Sequence, residues 1–379
     1  METFAGMVWL RTFADFMRQK KKKKSFIFPV STLIGSKYDN LKVVMRGRKI
    51  SRGYKSRYYL TRWIAWILDW FRIIEEKRYG QTIEELSIDK PPIFIIGFWR
   101  SGTTLLHNML CQNPDFGFVN TFQAVFPNHV LLNQGWLKGV AQLLMPDKRP
   151  GDNVELNFAY PQEEEIALGN LQALSFYYFF YFPQDTQEFI DKSLLFKDVS
   201  EEEMQSWEES YVNLIKTALY NTNGKQFISK NPPNTFRIKE ILKMFPNAKF
   251  IYIERDMYET IYSFIRFTQA VRKGIKHHVY DKEKQDELLI KLYRLLHEKY
   301  QEDKTAIPDG QLVEVKFEEF EKNKMKEMER IYKTLHIEGF EEYAPKMKAY
   351  LEELGDYQRK KHPIDKAFIE KVDKVMAEA

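Results

Sequence analysis

Two hydrophobic periods organise the chain. Ile93-Phe94-Ile95-Ile96 is an unbroken apolar run bounded by Pro91, Pro92 and Gly97, the pattern of a strand covered on both faces. Lys249-Phe250-Ile251-Tyr252-Ile253 and Leu312-Val313-Glu314-Val315 predict two more strands. Helix patterns occupy residues 103–110 and 237–244, the latter stopping at Phe245-Pro246-Asn247, and a charged helix is expected from Glu318 onward. Strands alternating with helices at these distances predict an α/β body, with βαβ units and a central parallel sheet flanked by helices.

Residues 58–79 carry a different pattern, that of an amphipathic helix from Tyr58 to Tyr79. Trp63, Ile64, Ile67, Trp70, Phe71 and Ile74 recur at 3.6-residue spacing, while Arg62, Asp69, Arg72 and Glu76 fall largely on other faces. Such a face either packs on the body or lies at a membrane interface, where Trp and basic residues are favoured. The uncharged stretch 166–184 is long enough to span a membrane. Because Glu163, Glu164 and Glu165 directly precede it, a buried helix is expected instead. The resulting division is a basic, aromatic, helical region over residues 1–88 and an α/β domain over 89–379.

Charge sharpens that division. The 379 residues carry a formal charge of +5, too little to imply a nucleic-acid partner. Residues 1–80, however, hold 19 Lys and Arg against 6 Asp and Glu, leaving the remainder at −8. The lysines Lys20, Lys21, Lys22, Lys23 and Lys24 form an unbroken run that suits an anionic membrane surface. Arg11, Asp15 and Arg18 interrupt any secretory-signal core, and the single cysteine, Cys111, excludes an internal disulfide and suits a reducing compartment. A cytoplasmic protein, peripheral on the inner face of a membrane, is expected. No carboxylate or histidine cluster has metal-ligand spacing, so no metal is expected.

The chemistry is concentrated in Gly97-Phe98-Trp99-Arg100-Ser101-Gly102-Thr103-Thr104, between the first strand and its helix. Two glycines five apart permit a tight wrap, and loop amides plus a helix N-terminus suit anionic oxygens. The spacing is that of the nucleotide-triphosphate loop, but Thr103 stands where its lysine would be. That substitution argues against ATP or GTP hydrolysis; the positive charge sits inside the loop, on Arg100.

Arg-Ser-Gly-Thr-Thr after a strand resembles the 5′-phosphosulfate loop of sulfotransferases that use 3′-phosphoadenosine 5′-phosphosulfate (PAPS), particularly the tyrosylprotein, carbohydrate and bacterial branches. The segment ending Ile253-Glu254-Arg255-Asp256, with Ser263 eight residues after Arg255, resembles that family's 3′-phosphate site. Ser229-Lys230-Asn231-Pro232-Pro233 resembles its Lys-Asp-Pro segment, with Asn231 replacing the acid. Val313-Glu314-Val315-Lys316-Phe317-Glu318-Glu319-Phe320 resembles a further strand end, with Phe317 replacing a tyrosine. The resemblance covers residues 91–320, and weakly the tail 357–362, where Arg359, Lys360 and Lys361 stand in place of the closing segment of the hormone-type branch.

The resemblance implies Arg100 on the bridging and leaving-group oxygens, Ser101, Gly102, Thr103 and Thr104 on the 5′-phosphate, Arg255 and Ser263 on the 3′-phosphate, and Lys230 at the moving sulfuryl group. A base must take the acceptor's proton. The tyrosylprotein branch uses a glutamate about twenty residues past the loop arginine, but Asn120-Thr121 occupies that place here. Glu163, Glu164 and Glu165 are the substitutes: adjacent carboxylates repel, which raises a pKa, and at 100° per residue only one or two can face a site. Glu163 is favoured, then Glu165; His129 is a rival, and His107 is read as structural. The aromatic run 174–182 is either core or the wall of an apolar acceptor pocket, which would suit a lipid-like alcohol. The competing classes are a P-loop kinase and a non-catalytic membrane-surface protein.

Overall fold

The computed structural model describes residues 30–132, 135–144, 157–355 and 363–378. The lysine run Lys20 to Lys24 and the tail 357–362 lie outside the described residues. Five parallel strands, β1 (Ile93–Ile96), β2 (Phe116–Gly117), β3 (Gln226–Lys230), β4 (Lys249–Glu254) and β5 (Leu312–Lys316), form one sheet in the order β2-β3-β1-β4-β5. The registers Ile95↔Lys230 and Ile96↔Tyr252 bring the carboxyl ends of β3 and β4 to either side of the end of β1. In an open parallel sheet this is where a ligand crevice forms.

The pleat sorts the core. Ile93 and Ile95 of β1, with Ile228, Ile251 and Val313, face one layer containing Leu106, Met109 and Leu110 of α2 (Thr103–Leu110). Phe94, Ile96, Phe227 and Phe250 face the other layer, built on α4 (Glu201–Thr222) through Trp207, Tyr211 and Ile215. Side chains alternate across a strand, so β1, with both faces covered, is apolar at every position. Burying each Ile of β1 fully stabilises the fold by about 1.5–3 kcal/mol.

The expected strands are observed to within one residue at their ends, and the helix at 103–110 has its expected bounds. The next helix begins one residue late, as α5 (Ile238–Met244). β3 was not expected, because Gln226, Ser229 and Lys230 break its apolar pattern; all five residues are nonetheless buried. The stretch 166–184 is buried as expected, but not as one helix. After α3 (Glu164–Leu171) the Ser175 hydroxyl donates to the Glu165 carbonyl at 3.0 Å, and the Phe176 amide donates to the Glu165 carboxylate at 2.7 Å. The chain turns back there before a single helical turn at Tyr178–Tyr181. Among the described residues, no helix is long and apolar enough to cross a membrane.

The amphipathic segment is a 31-residue helix, α1 (Lys55–Glu85), and its buried side is not the expected one. Tyr58, Thr61, Ala65, Leu68, Glu75 and Ile83 face the body, whereas Trp63, Trp70 and Ile74 are exposed and Ile64, Ile67 and Phe71 half-buried. Close approach favours the row of small and medium side chains, and polar anchors fix it. Thr61 Oγ1 accepts the Ser31 amide at 3.0 Å, and the Glu75 carboxylate accepts the amides of Leu131 and Leu132 at 3.2 and 2.9 Å. Ala65 joins Leu33, Leu41 and Val44 in one cluster with Phe98, Trp99 and the aromatic run 176–182, so the described part of residues 1–88 shares the core of the body.

Candidate active site

The turn from β1 into α2 is a strained loop. Arg100 sits at φ 71°, a left-handed conformation that costs a non-glycine residue on the order of 1–3 kcal/mol. Gly97 and Gly102 have φ 137° and 105°; a Cβ at the first would lie 2.3 Å from the Ile253 carbonyl, and one at the second 2.2 Å from the Phe317 ring. Only glycine allows both approaches. The loop is tied down by the Gly97 amide, which donates to Thr235 Oγ1 at 2.8 Å, and by the Ser101 hydroxyl, which donates to the Phe98 carbonyl at 2.8 Å. Gly102 caps α2, whose first-turn amides at Thr103 and Thr104 lack a preceding turn to bond and so present the positive end of the helix.

Arg100 and Arg255 converge. Arg255, just past β4, donates to the Arg100 carbonyl at 3.3 Å, pairs with Glu259, and lies 5.0 Å over the Phe317 ring. Phe317 thus fills the space between Gly102 and Arg255. Arg100 Nε donates to Ser263 Oγ at 3.1 Å, and its guanidinium lies 5.2 Å over Phe267, both on α6 (Met257–Ile275). Ser263 was expected beside Arg255 and apart from Arg100; here the two arginines and the serine form one cluster.

On the other side of the loop, Lys230 ends β3 and is almost fully buried. Its Nζ lies 2.5 Å from Glu163 Oε1. The Tyr177 hydroxyl donates to Glu163 Oε2 and accepts from Trp99 Nε1 at 2.8 Å. The Lys230–Glu163 pair is therefore wired to the residue immediately before Arg100. Glu163 keeps some exposure because it is the N-cap of α3, while its two neighbours enter the first turn and point inward.

Those two neighbours are withdrawn as bases. Glu165 is fully buried and paired with Arg237 through both oxygens at 2.8 and 3.0 Å, and it also accepts Asn231 Nδ2 at 3.0 Å. Glu164 accepts the Ser229 hydroxyl at 2.8 Å and the Lys230 amide at 3.3 Å beneath β3. Burial, rather than repulsion among the three acids, pushes its pKa up to about 8. His129 is withdrawn too: its Nε2 bonds the Leu68 carbonyl at 2.9 Å among α1 side chains, and burial lowers its pKa to about 4. His107 is fully buried, its pKa pushed well below the usual range by burial.

Glu164 has a pH signature. Its folded pKa, about 8, exceeds its ordinary 4.5, so the stabilisation it contributes is complete below pH 4.5 and is lost as pH rises through 8. Glu164→Gln cannot ionise. Thermal denaturation from pH 5 to 8.5 should therefore show the variant gaining on the wild type, on the order of a few kcal/mol at the alkaline end. Parallel profiles would remove the burial explanation.

Tyr177, Trp99, Glu259 and Arg237 were missed by sequence reasoning. Tyr177 is one of many aromatics in its run, but three adjacent acids before an apolar stretch already called for a buried cation, which Arg237 supplies. Among the described residues, no group of three His, Cys, Asp or Glu is placed to hold a metal ion.

A strand, an arginine-bearing loop and a helix N-terminus at the centre of a parallel sheet make this a P-loop-like transferase, with its cations at Arg100, Lys230 and Arg255 instead of in the loop's usual lysine. The chain belongs to the sulfotransferase family, whose pattern it matches over residues 91–342. Its activity is the transfer of a sulfuryl group to a hydroxyl acceptor, and the kinase alternative falls away. It is similar to proteins of Mycobacterium bovis and Mycobacterium tuberculosis named omega-hydroxy-beta-dihydromenaquinone-9 sulfotransferase Stf3, at 30% identity over 291 residues, covering 76% of this chain and 73% of each relative. Sulfotransferase STF9 of Mycobacterium avium superposes with a TM-score of 0.70 at 17% identity, covering 89% of this chain and 88% of that one. STF1 of Mycobacterium tuberculosis gives 0.63 at 15% identity, covering 91% and 94%. These two likenesses show the fold.

Proposed function

We propose that this enzyme takes its sulfuryl group from PAPS and delivers it to the hydroxyl of a hydrophobic, lipid-like acceptor. The observation that carries the donor reading is the convergence of Arg100, Arg255 and Ser263 on one edge of a loop that lacks the triphosphate lysine. The loop and first-turn amides of Ser101, Gly102, Thr103 and Thr104, with the threonine hydroxyls, would hold the 5′-phosphate, and Arg255 with Ser263 the 3′-phosphate.

Sulfuryl transfer is an in-line displacement with charge building on equatorial and leaving oxygens, so positioned cations supply most of the catalysis. Lys230 stabilises the moving sulfuryl oxygens and Arg100 the bridging oxygen. Glu163 takes the acceptor's proton as the new O–S bond forms and the bond to the phosphate breaks, leaving 3′,5′-adenosine diphosphate. The acceptor class is supported by the menaquinone-derived substrate in the name of the Stf3 relatives; the aromatic residues 176–182 are buried in the core and give it no support of their own. Such an acceptor suits a catalytic domain over residues 89–379 held at a membrane surface by the basic region 1–88.

Calorimetry tests the donor. 3′,5′-adenosine diphosphate should bind at least about tenfold more tightly than ATP or 5′-AMP, and Arg255→Ala should abolish the preference, a loss of about 1.5–3 kcal/mol for a charge-assisted contact. Preference for ATP would overturn the donor assignment. Sulfated products found only in the aqueous polysaccharide fraction of expressing cells, and not in their lipid extracts, would overturn the acceptor assignment.

A further inference from the structure

α1 buries one side and leaves a long apolar face with no protein against it among the described residues. Trp63, Trp66 and Trp70 are 57%, 48% and 65% exposed, and Tyr59, Ile73 and Ile74 beside them are exposed too. At 100° per residue these six lie within about 80° of Trp63, forming a stripe about 22 Å long. An exposed stripe of this kind marks an interaction surface, since soluble monomers seldom carry large contiguous apolar patches. Its ends are cationic: Arg52 and Lys55 before Tyr59, and Lys77 and Arg78 after Ile74, are all exposed. From Lys55 to Arg78 the acids of α1, namely Asp69, Glu75 and Glu76, all lie off the stripe.

We propose that this stripe is the face by which the enzyme lies on an anionic lipid surface, with the three indoles at the headgroup boundary and the terminal cations on lipid phosphates. Tryptophan is the residue suited to that boundary, and a helix lying in the surface plane needs this combination of apolar face and flanking cations. The charge pattern favours lipid over a second copy of the chain, because a self-complementary pairing would bring like cations at the stripe ends near one another unless the helices ran antiparallel to acidic ground that the stripe does not contain. This replaces the face expected from periodicity: Ile64 and Phe71 turn inward, while Trp66 and Ile73 take their place outside.

Docking on this face also orients the site. Ala65, on the opposite side of α1 from Trp63, packs in the cluster that includes Trp99 and Tyr177. The helix and the site thus belong to one apolar core, so docking the helix fixes the orientation of the site relative to the lipid surface. That use of the face rests on the lipid-acceptor reading, whereas vesicle binding itself does not.

The test uses the full chain, phosphatidylcholine vesicles with and without phosphatidylglycerol, and the combined variant Trp63→Ser, Trp66→Ser, Trp70→Ser. Wild type should co-sediment with the anionic vesicles, and brominated lipid should quench its tryptophan fluorescence. The triple variant should bind at least about tenfold more weakly. Its thermal midpoint and its affinity for 3′,5′-adenosine diphosphate should be unchanged, because the three side chains are exposed and belong to none of the contacts around Arg100 and Arg255. Neutralising Arg52, Lys55, Lys77 and Arg78 to Gln should reduce the preference for anionic over neutral vesicles. Equal sedimentation of wild type and triple variant would overturn the proposal, as would a wild type that ignores vesicles while sedimenting in the ultracentrifuge as a dimer that the triple variant dissolves. A failure to bind 3′,5′-adenosine diphosphate would count against the donor reading alone.

Discussion

Lys230→Met should lower kcat by about 10²- to 10³-fold, on the order of 3–4 kcal/mol of transition-state stabilisation, with little change in donor affinity. The reason is placement: Nζ is held 2.5 Å from Glu163 at the end of a central strand, with almost no access to water. A cation already desolvated and oriented loses no reorganisation energy when charge develops on the sulfuryl oxygens. Glu163→Gln should fall by a comparable factor, because the amide keeps the shape but accepts no proton. The double variant should be no slower than the worse single one, since the two groups act as a unit and each depends on the other. Stability separates this from simple misfolding. Lys230→Met leaves a partly buried carboxylate without its cation and should be less stable than the double variant, in which neither charge remains. Additive losses in kcat would break the link between lysine and base; unchanged turnover in Glu163→Gln would remove Glu163 as the base.

Glu165→Ala should destabilise the fold strongly. It strips Arg237, which has no exposed side-chain surface, of both carboxylate bonds and leaves the Asn231 side chain and the Phe176 amide short of an acceptor. Breaking a buried pair from one side costs about 3–5 kcal/mol, so chemical denaturation should show that loss and the thermal midpoint should fall by roughly 10 °C. Because Asn231 follows Lys230 directly, turnover of the folded fraction should fall as well. Combining Glu165→Gln with Arg237→Met, which removes both charges while keeping volume, should recover a large part of the stability. A loss under about 1 kcal/mol in Glu165→Ala would mean that water reaches Arg237.

The proposed donor side of the site was legible because its parts are close in sequence. Gly97 to Thr104 form strand end, loop and helix start within eight residues, and the absent lysine is visible without any tertiary information. Arg255 and Ser263 were legible through the strand that precedes one and the helix that carries the other. Their joining with Arg100 was not, since nothing local relates the loop after β1 to the second turn of α6. The acid cluster shows the same limit in sharper form. Three consecutive glutamates are chemically equivalent on paper, and the helix start at Glu164 gives them different environments. Glu163 meets Lys230 and Tyr177, Glu164 is buried beneath β3 where desolvation raises its pKa, and Glu165 meets Arg237 across more than seventy residues.

Local pattern by itself determined the α/β architecture and the phosphate-type loop without its usual lysine, because each depends on backbone geometry and side-chain types within one or two turns. Only the tertiary structure decided which glutamate stands beside Lys230, that Lys230 lies on a buried strand at all, and which side of α1 faces water. Those outcomes depend on desolvation and close packing. Burial makes a charge seek a partner from anywhere in the chain, and a helix that carries apolar residues all round its middle turns inward the row that fits, here Thr61, Ala65 and Leu68, leaving Trp63, Trp66 and Trp70 outside.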